Sequence, residues 1–151
     1  QLTRPFLAAA LHAVAIWLWH APGPFQLTLR SPAIHAIQHV FLFGSALLFW
    51  RAALRVRRRA GVAAGVAILF LTAMHTGALS ALLTLSDHLW YPAYAAGLAL
   101  EVARADQQLA GLVMWVPGAL PYLLAALWIG AGLLRSDDVS ARHVPSPGAR
   151  A

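Results

Sequence analysis

Apolar residues run along this chain in four long blocks, broken by three polar stretches and followed by a polar tail. The blocks extend from about Pro5 to Trp19, Pro32 to Leu54, Gly61 to Leu85 and Gln108 to Leu134. Crossing a hydrocarbon core takes about 20 helical residues, and each block reaches or approaches that length. None shows the alternation of a barrel strand, and open strands cannot satisfy their backbone groups in lipid, so all four are predicted helices. Pro32 suits a first helical turn, and Pro117 and Pro121 mark expected kinks in the fourth block. The predicted fold class is all-α: a polytopic membrane helix bundle of about four transmembrane helices over residues 1–135. Residues 136–151, polar and containing Pro and Gly, are expected to form a flexible cytoplasmic tail.

Composition strengthens the membrane reading. Of the 151 residues, 60% are hydrophobic and 11% charged, where a soluble domain carries about 25% charged residues. Six Trp and three Tyr suit interfacial belts. The chain has no cysteine, which excludes disulfides, thiolate metal sites and thiol catalysis. Its net charge of +6 rests on arginine alone, without lysine, and heavy Ala and Arg use suggests a GC-rich bacterial genome. Arginine placement predicts orientation. Arg51, Arg55, Arg57, Arg58 and Arg59 mark a cytoplasmic connector, and Arg4, Arg135, Arg142 and Arg150 then share that side. Both termini are expected in the cytoplasm, and Arg30 and Arg104 outside. The run is topogenic on this reading, and no nucleic-acid partner is expected. The chain opens on Gln1, so a start upstream is expected, and the first block lacks the cleavage site of a signal peptide.

Histidines change the picture most. His35 and His39 stand one turn apart, on one helix face, with Cβ atoms about 5–6 Å apart. Polar rings inside a membrane helix are costly and tend to serve a function, and close imidazole pairs bind metals or haem iron. His20 ends the first span, and His75 lies roughly 15 Å below the outer end of the third at ~1.5 Å per residue. Met114 of the fourth span is expected at comparable depth, and Asp106, Gln107 and Gln108 at its outer entrance. His20, His35, His39, His75, Met114 and Asp106 are therefore expected to converge on one outward-facing cavity. Plainer roles compete. His12 reads as a helix–helix hydrogen-bonding residue and His88 as an interfacial loop residue. Met114 is core filler or thioether ligand, and Asp106 is the N-cap of the fourth helix or a ligand. Trp17, Trp19, Trp90 and Trp115 read as belt or packing residues. His143 lies in the tail.

The segment WLWHAPGPFQLTLRSPAIHAIQHVFLFGSALLFW combines Trp-His-x-Pro with a His-x-x-x-His helix, and MHTGALSALLTLSDHLWYPAY and DQQLAGLVMWVPG follow it in order. Together these resemble the three signature blocks of the CtaG-type cytochrome c oxidase assembly factors, from about Trp17 to Leu134. Members are typically longer, so a short form or a fragment is expected. The resemblance implies a non-enzymatic assembly factor for haem-copper oxidases of the respiratory chain in the bacterial inner membrane, with copper supply as its role. It carries over to Trp19, His20, Pro22, His35, His39, Asp106, Gln107, Met114 and Trp115. The partners it implies are oxidase subunits and membrane lipid, with a periplasmic copper donor.

Donor chemistry is compatible with copper. Cu(I) accepts imidazole and thioether, Cu(II) favours nitrogen and oxygen, and a set without thiolate holds the ion loosely enough to release it. Two alternatives stay open: a b-type haem ligated by two histidines on facing spans, in an electron-transfer protein, and a metal-free accessory subunit packed against an oxidase. The sequence offers no Ser/His/Asp arrangement and no phosphate loop, so no enzyme is expected.

Overall fold

A computed structural model describes residues 3–55, 59–93 and 95–142. These form five helices in chain order: α1 (Thr3–His20), α2 (Pro22–Arg30), α3 (Pro32–Leu54), α4 (Arg59–Thr84) and α5 (Leu100–Arg142), with no strand among the described residues. Three stretches are long and apolar enough to cross a membrane, Pro32–Leu54, Gly61–Leu85 and Leu100–Gly132. A fourth span exists if α1 and α2, bent by 68° across one residue, count as one.

Proline sets the breaks. A residue before proline is pushed to extended backbone, and proline itself fits a first helical turn. Ala21, before Pro22, has φ −65° and ψ 139°, and Ser31, before Pro32, has φ −139° and ψ 113°. Ser31 also caps α3, its hydroxyl accepting the Ile34 N–H at 3.4 Å. The polar break after the first block is thus mostly the short helix α2, where a connector was expected. The fourth helix also departs from expectation. It starts at Leu100, ahead of Gln108, because Leu100–Gln107 (LEVARADQ) is rich in helix formers although too charged to read as span. It is helical through Pro117 and Pro121 and continues to Arg142, so 136–142, expected in the irregular tail, are helical. Residues 143–151, the rest of that tail with His143, lie outside the described residues.

The bundle is built around two seams. The more extensive joins α4 to α5, and α1 packs against both α3 and α4. Without a hydrophobic driving force between helices in lipid, close approach through small residues matters most. Gly111 of α5 shows it: a Cβ there would lie 2.5 Å from Thr84 Oγ1 and 2.9 Å from the Ser80 carbonyl of α4. At one end, Phe49 and Ala53 of α3, Val62, Ile68 and Leu69 of α4 and Ile129 of α5 form a closed core. Trp50 and Tyr122 stack beside it at 5.5 Å. His12, expected to join helices, does so here: it shares a hydrogen bond with Ser45 Oγ at 3.0 Å and stacks on Phe49. Because the Ser45 hydroxyl donates to the Leu42 carbonyl, His12 Nδ1 is the donor.

Candidate metal site at the connector end

The opposite end gathers the α1–α2 break, the α4–α5 connector and the first turns of α5. The break frees a carbonyl, since the residue four beyond His20 is Pro24, which has no N–H. Tyr91 of the connector takes that place, its hydroxyl donating to the His20 carbonyl at 2.7 Å, while its ring lies 4.0 Å from that of Phe25. Burial pushes the Tyr91 phenol up to about 12, so it stays a donor across the ordinary range. Gln107 pins the connector to α5: its Oε1 accepts from the Trp90 N–H at 2.7 Å and its Nε2 donates to the His88 carbonyl at 3.0 Å. Gln108 donates to the Ser86 carbonyl. Ser86 Oγ, in turn, accepts from the His88 N–H and from Trp90 Nε1.

Between these elements lies a cavity of about 450 Å³. Its polar lining is His20, Tyr91, Asp106 and Gln107, and Met114 and Phe25 join the aliphatic remainder. His20 Nδ1 donates to the Ile16 carbonyl at 2.8 Å, which fixes the tautomer and leaves the Nε2 lone pair free. A ring N–H held by a backbone carbonyl is the usual support of a metal-ligating histidine. Asp106 is exposed and lies in the second turn of α5, so the capping role considered for it does not arise. Met114 is half-buried, two turns further on. One nitrogen, one carboxylate and one thioether thus share a cavity.

The expected convergence of six side chains on one cavity is not what the fold builds. His20, Asp106 and Met114 come together; His35, His39 and His75 do not join them. His35 and His39 are both exposed on α3, their Nε2 atoms 2.9 Å apart and their rings 4.7 Å apart. His35 lies about five turns before the fully buried Ala53, hence on the same side of α3 at ~3.6 residues per turn. That side is covered at the Phe49 end and open around the pair. His75 sits on the α1–α4 seam, where its Nδ1 accepts from Trp17 Nε1 at 3.3 Å and its buried Nε2 has no partner among the described residues. Trp17 therefore occupies the lone pair that a metal would need. Among the described residues, no three His, Asp or Glu side chains are grouped closely enough to hold a metal ion. His88 is an exposed connector residue, as expected.

Gln107 and Gln108, expected only at a helix entrance, bind the connector. The signal available was two adjacent amides next to a Trp/Tyr-rich loop. Tyr91 was not expected there either, and Pro24 was its clue.

Residues 1–136 match the family model of the cytochrome c oxidase caa3 assembly factor (Caa3_CtaG). No curated protein and no solved structure matches the chain. With nearly its whole length under that one model, and an all-helical bundle of apolar spans beneath it, the chain belongs to the cytochrome c oxidase caa3 assembly factor family.

Proposed function

We propose that this protein is a multi-pass inner-membrane assembly factor that carries copper as cargo and hands it to a haem-copper oxidase in a bacterial respiratory chain. The observation that carries the reading is the cavity holding His20, Asp106 and Met114, with the His20 tautomer set by Ile16 so that Nε2 is free to bind. Imidazole, thioether and carboxylate together suit copper in either oxidation state, and without a thiolate the ion stays exchangeable. His35 and His39 supply a second place for metal, outside the cavity. Arg51 and Arg55 lie at the far end of α3 from the cavity, and arginine bias supports placing that end in the cytoplasm with both termini. The cavity then opens to the periplasm, where a soluble copper donor would meet it and an oxidase subunit would receive the ion. Nothing in the cavity suggests bond chemistry, and the reading is of a carrier without catalysis.

Of the rival readings, a haem ligated by two histidines on facing spans is disfavoured because Trp17 holds the Nδ1 lone pair of His75 on α4, and the α3 pair cannot stand in for it. Axial nitrogens at ~2 Å from one metal stand ~4 Å apart on opposite sides of it, whereas these two sit 2.9 Å apart on one helix face. A metal-free accessory subunit is favoured only by the lack of a three-carboxylate-or-imidazole cluster among the described residues.

Two measurements test the proposal. Purified protein loaded with Cu(I) should bind it without a Soret band, lose it to an external chelator, and lose at least about tenfold in affinity in His20→Ala or Met114→Leu, as metal sites do when even a supporting group is removed. Cells lacking the protein should make oxidase that contains haem but is copper-poor and inactive. Fully metallated oxidase in those cells would refute the carrier reading and favour the accessory subunit. A reporter at Gly97 should read periplasmic and one after Arg135 cytoplasmic.

A further inference from the structure

We propose that His35 and His39 are half of a metal site that a second copy of this chain completes, four imidazoles from two α3 helices closing around one ion. The proposal rests on the metal reading of this pair, and not on oxidase assembly.

Two nitrogens bound ~2.05 Å from one tetrahedral ion stand ~3.3 Å apart. The His35 and His39 Nε2 atoms are 2.9 Å apart, so a rotation of a few tenths of an ångström admits an ion where the two rings now share one proton. Two donors do not close a site, since tetrahedral metals of this kind take four. Among the described residues no third His, Asp or Glu joins the pair.

Within α3 the buried residues are Phe49 and Ala53 alone, and both imidazoles are exposed. Polar rings turned toward lipid at membrane depth are costly and call for a partner. A two-fold axis along the membrane normal brings each residue opposite its own copy at the same depth, so a second chain presents its two imidazoles at the required level. Closed two-fold pairs are also the commonest assemblies. The neighbouring positions suit a helix pair: Pro32, Ala36, His39 and Phe43 recur at spacings of four, three and four, the seam of two packed helices. Ala36 is small enough for close approach, and Phe43 is 67% exposed.

The test uses the full chain in detergent micelles with zinc chloride, a redox-silent probe of imidazole sites, and a His20→Ala background that removes the imidazole of the cavity. Zinc should double the protein mass by light scattering at one ion per two chains, EDTA should reverse it, and His39→Ala should abolish it. Because the chain has no cysteine, single thiols report the same contact without disturbing the ligands. Zinc should raise bismaleimide cross-linking of Phe43→Cys severalfold and leave Trp128→Cys, on exposed α5, unchanged. A monomer binding one zinc per chain through the pair would overturn the second-copy site and leave the metal reading standing. A chain that takes up neither zinc nor copper would overturn both. Zinc-independent dimers, or equal cross-linking of the two thiols, would also overturn it.

Discussion

The two ends of this bundle are built on different terms. At the arginine end, Phe49, Ala53, Ile68 and Leu69 are almost wholly buried and pack against one another with aromatic stacking beside them. At the connector end, a cavity of about 450 Å³ lies under a loop held by side-chain hydrogen bonds from Gln107 and Tyr91. The first end is specified by shape, the second by polar groups that a broken helix and an irregular loop would otherwise leave without partners. The contrast teaches where function can sit. A closed end keeps four helices in register, and the other end is then free to expose nitrogen, oxygen and sulfur donors without threatening the fold.

The strongest way to break the comparison is Phe49→Ala. It removes a fully buried ring, and such truncations cost about 3–5 kcal/mol, which thermal unfolding in detergent should register. Copper affinity of the fraction still folded should not change. A large affinity loss would mean the two ends are not independent.

Gln107→Leu should act the other way round. It deletes two hydrogen bonds to the connector, about 2 kcal/mol at roughly 1 kcal/mol each. Hydrogen exchange at residues 88–90 should speed up while the Phe49 region stays protected. Copper affinity should fall, because the cavity loses its roof.

Tyr91→Phe sharpens the comparison with the smallest effect, about 1 kcal/mol for one hydrogen bond to His20. Its pH signature is more telling. The Tyr91 phenol is raised to about 12 from an ordinary value near 10. The folded state therefore holds the proton more tightly than the unfolded one. That contribution is complete below about pH 10 and is lost as pH rises toward 12. Phenolate absorbance in this window should lose a late-titrating component in Tyr91→Phe; a titration unchanged by that substitution would contradict the burial of the hydroxyl.

Much of the frame was legible along the chain. Helical class and the start at Pro32 follow from hydropathy and proline chemistry, which act over a few residues. The first turns of α5 were obscured because Glu101 and Arg104 lower hydropathy without lowering helix propensity. α2 was obscured because Pro22, Gly23 and Pro24 read as breakers, although a first turn tolerates them. His35 and His39 were legible as a pair, since i, i+4 neighbours meet on any helix.

By itself, then, the sequence determined that this is a bundle of apolar helices, which family it belongs to, and which side chains are capable of ligating a metal. Only the tertiary structure decided which of them meet. His20, Asp106 and Met114 share a cavity because the α1–α2 break and the early start of α5 bring them to one end. His75 is kept apart by Trp17, and the α3 pair by the side of its helix that the bundle leaves uncovered. Hydropathy is a property of neighbours along the chain, whereas convergence depends on where helices cross and how each is turned about its axis. That rotation is set by close contacts such as Gly111 against Thr84, between residues far apart in sequence.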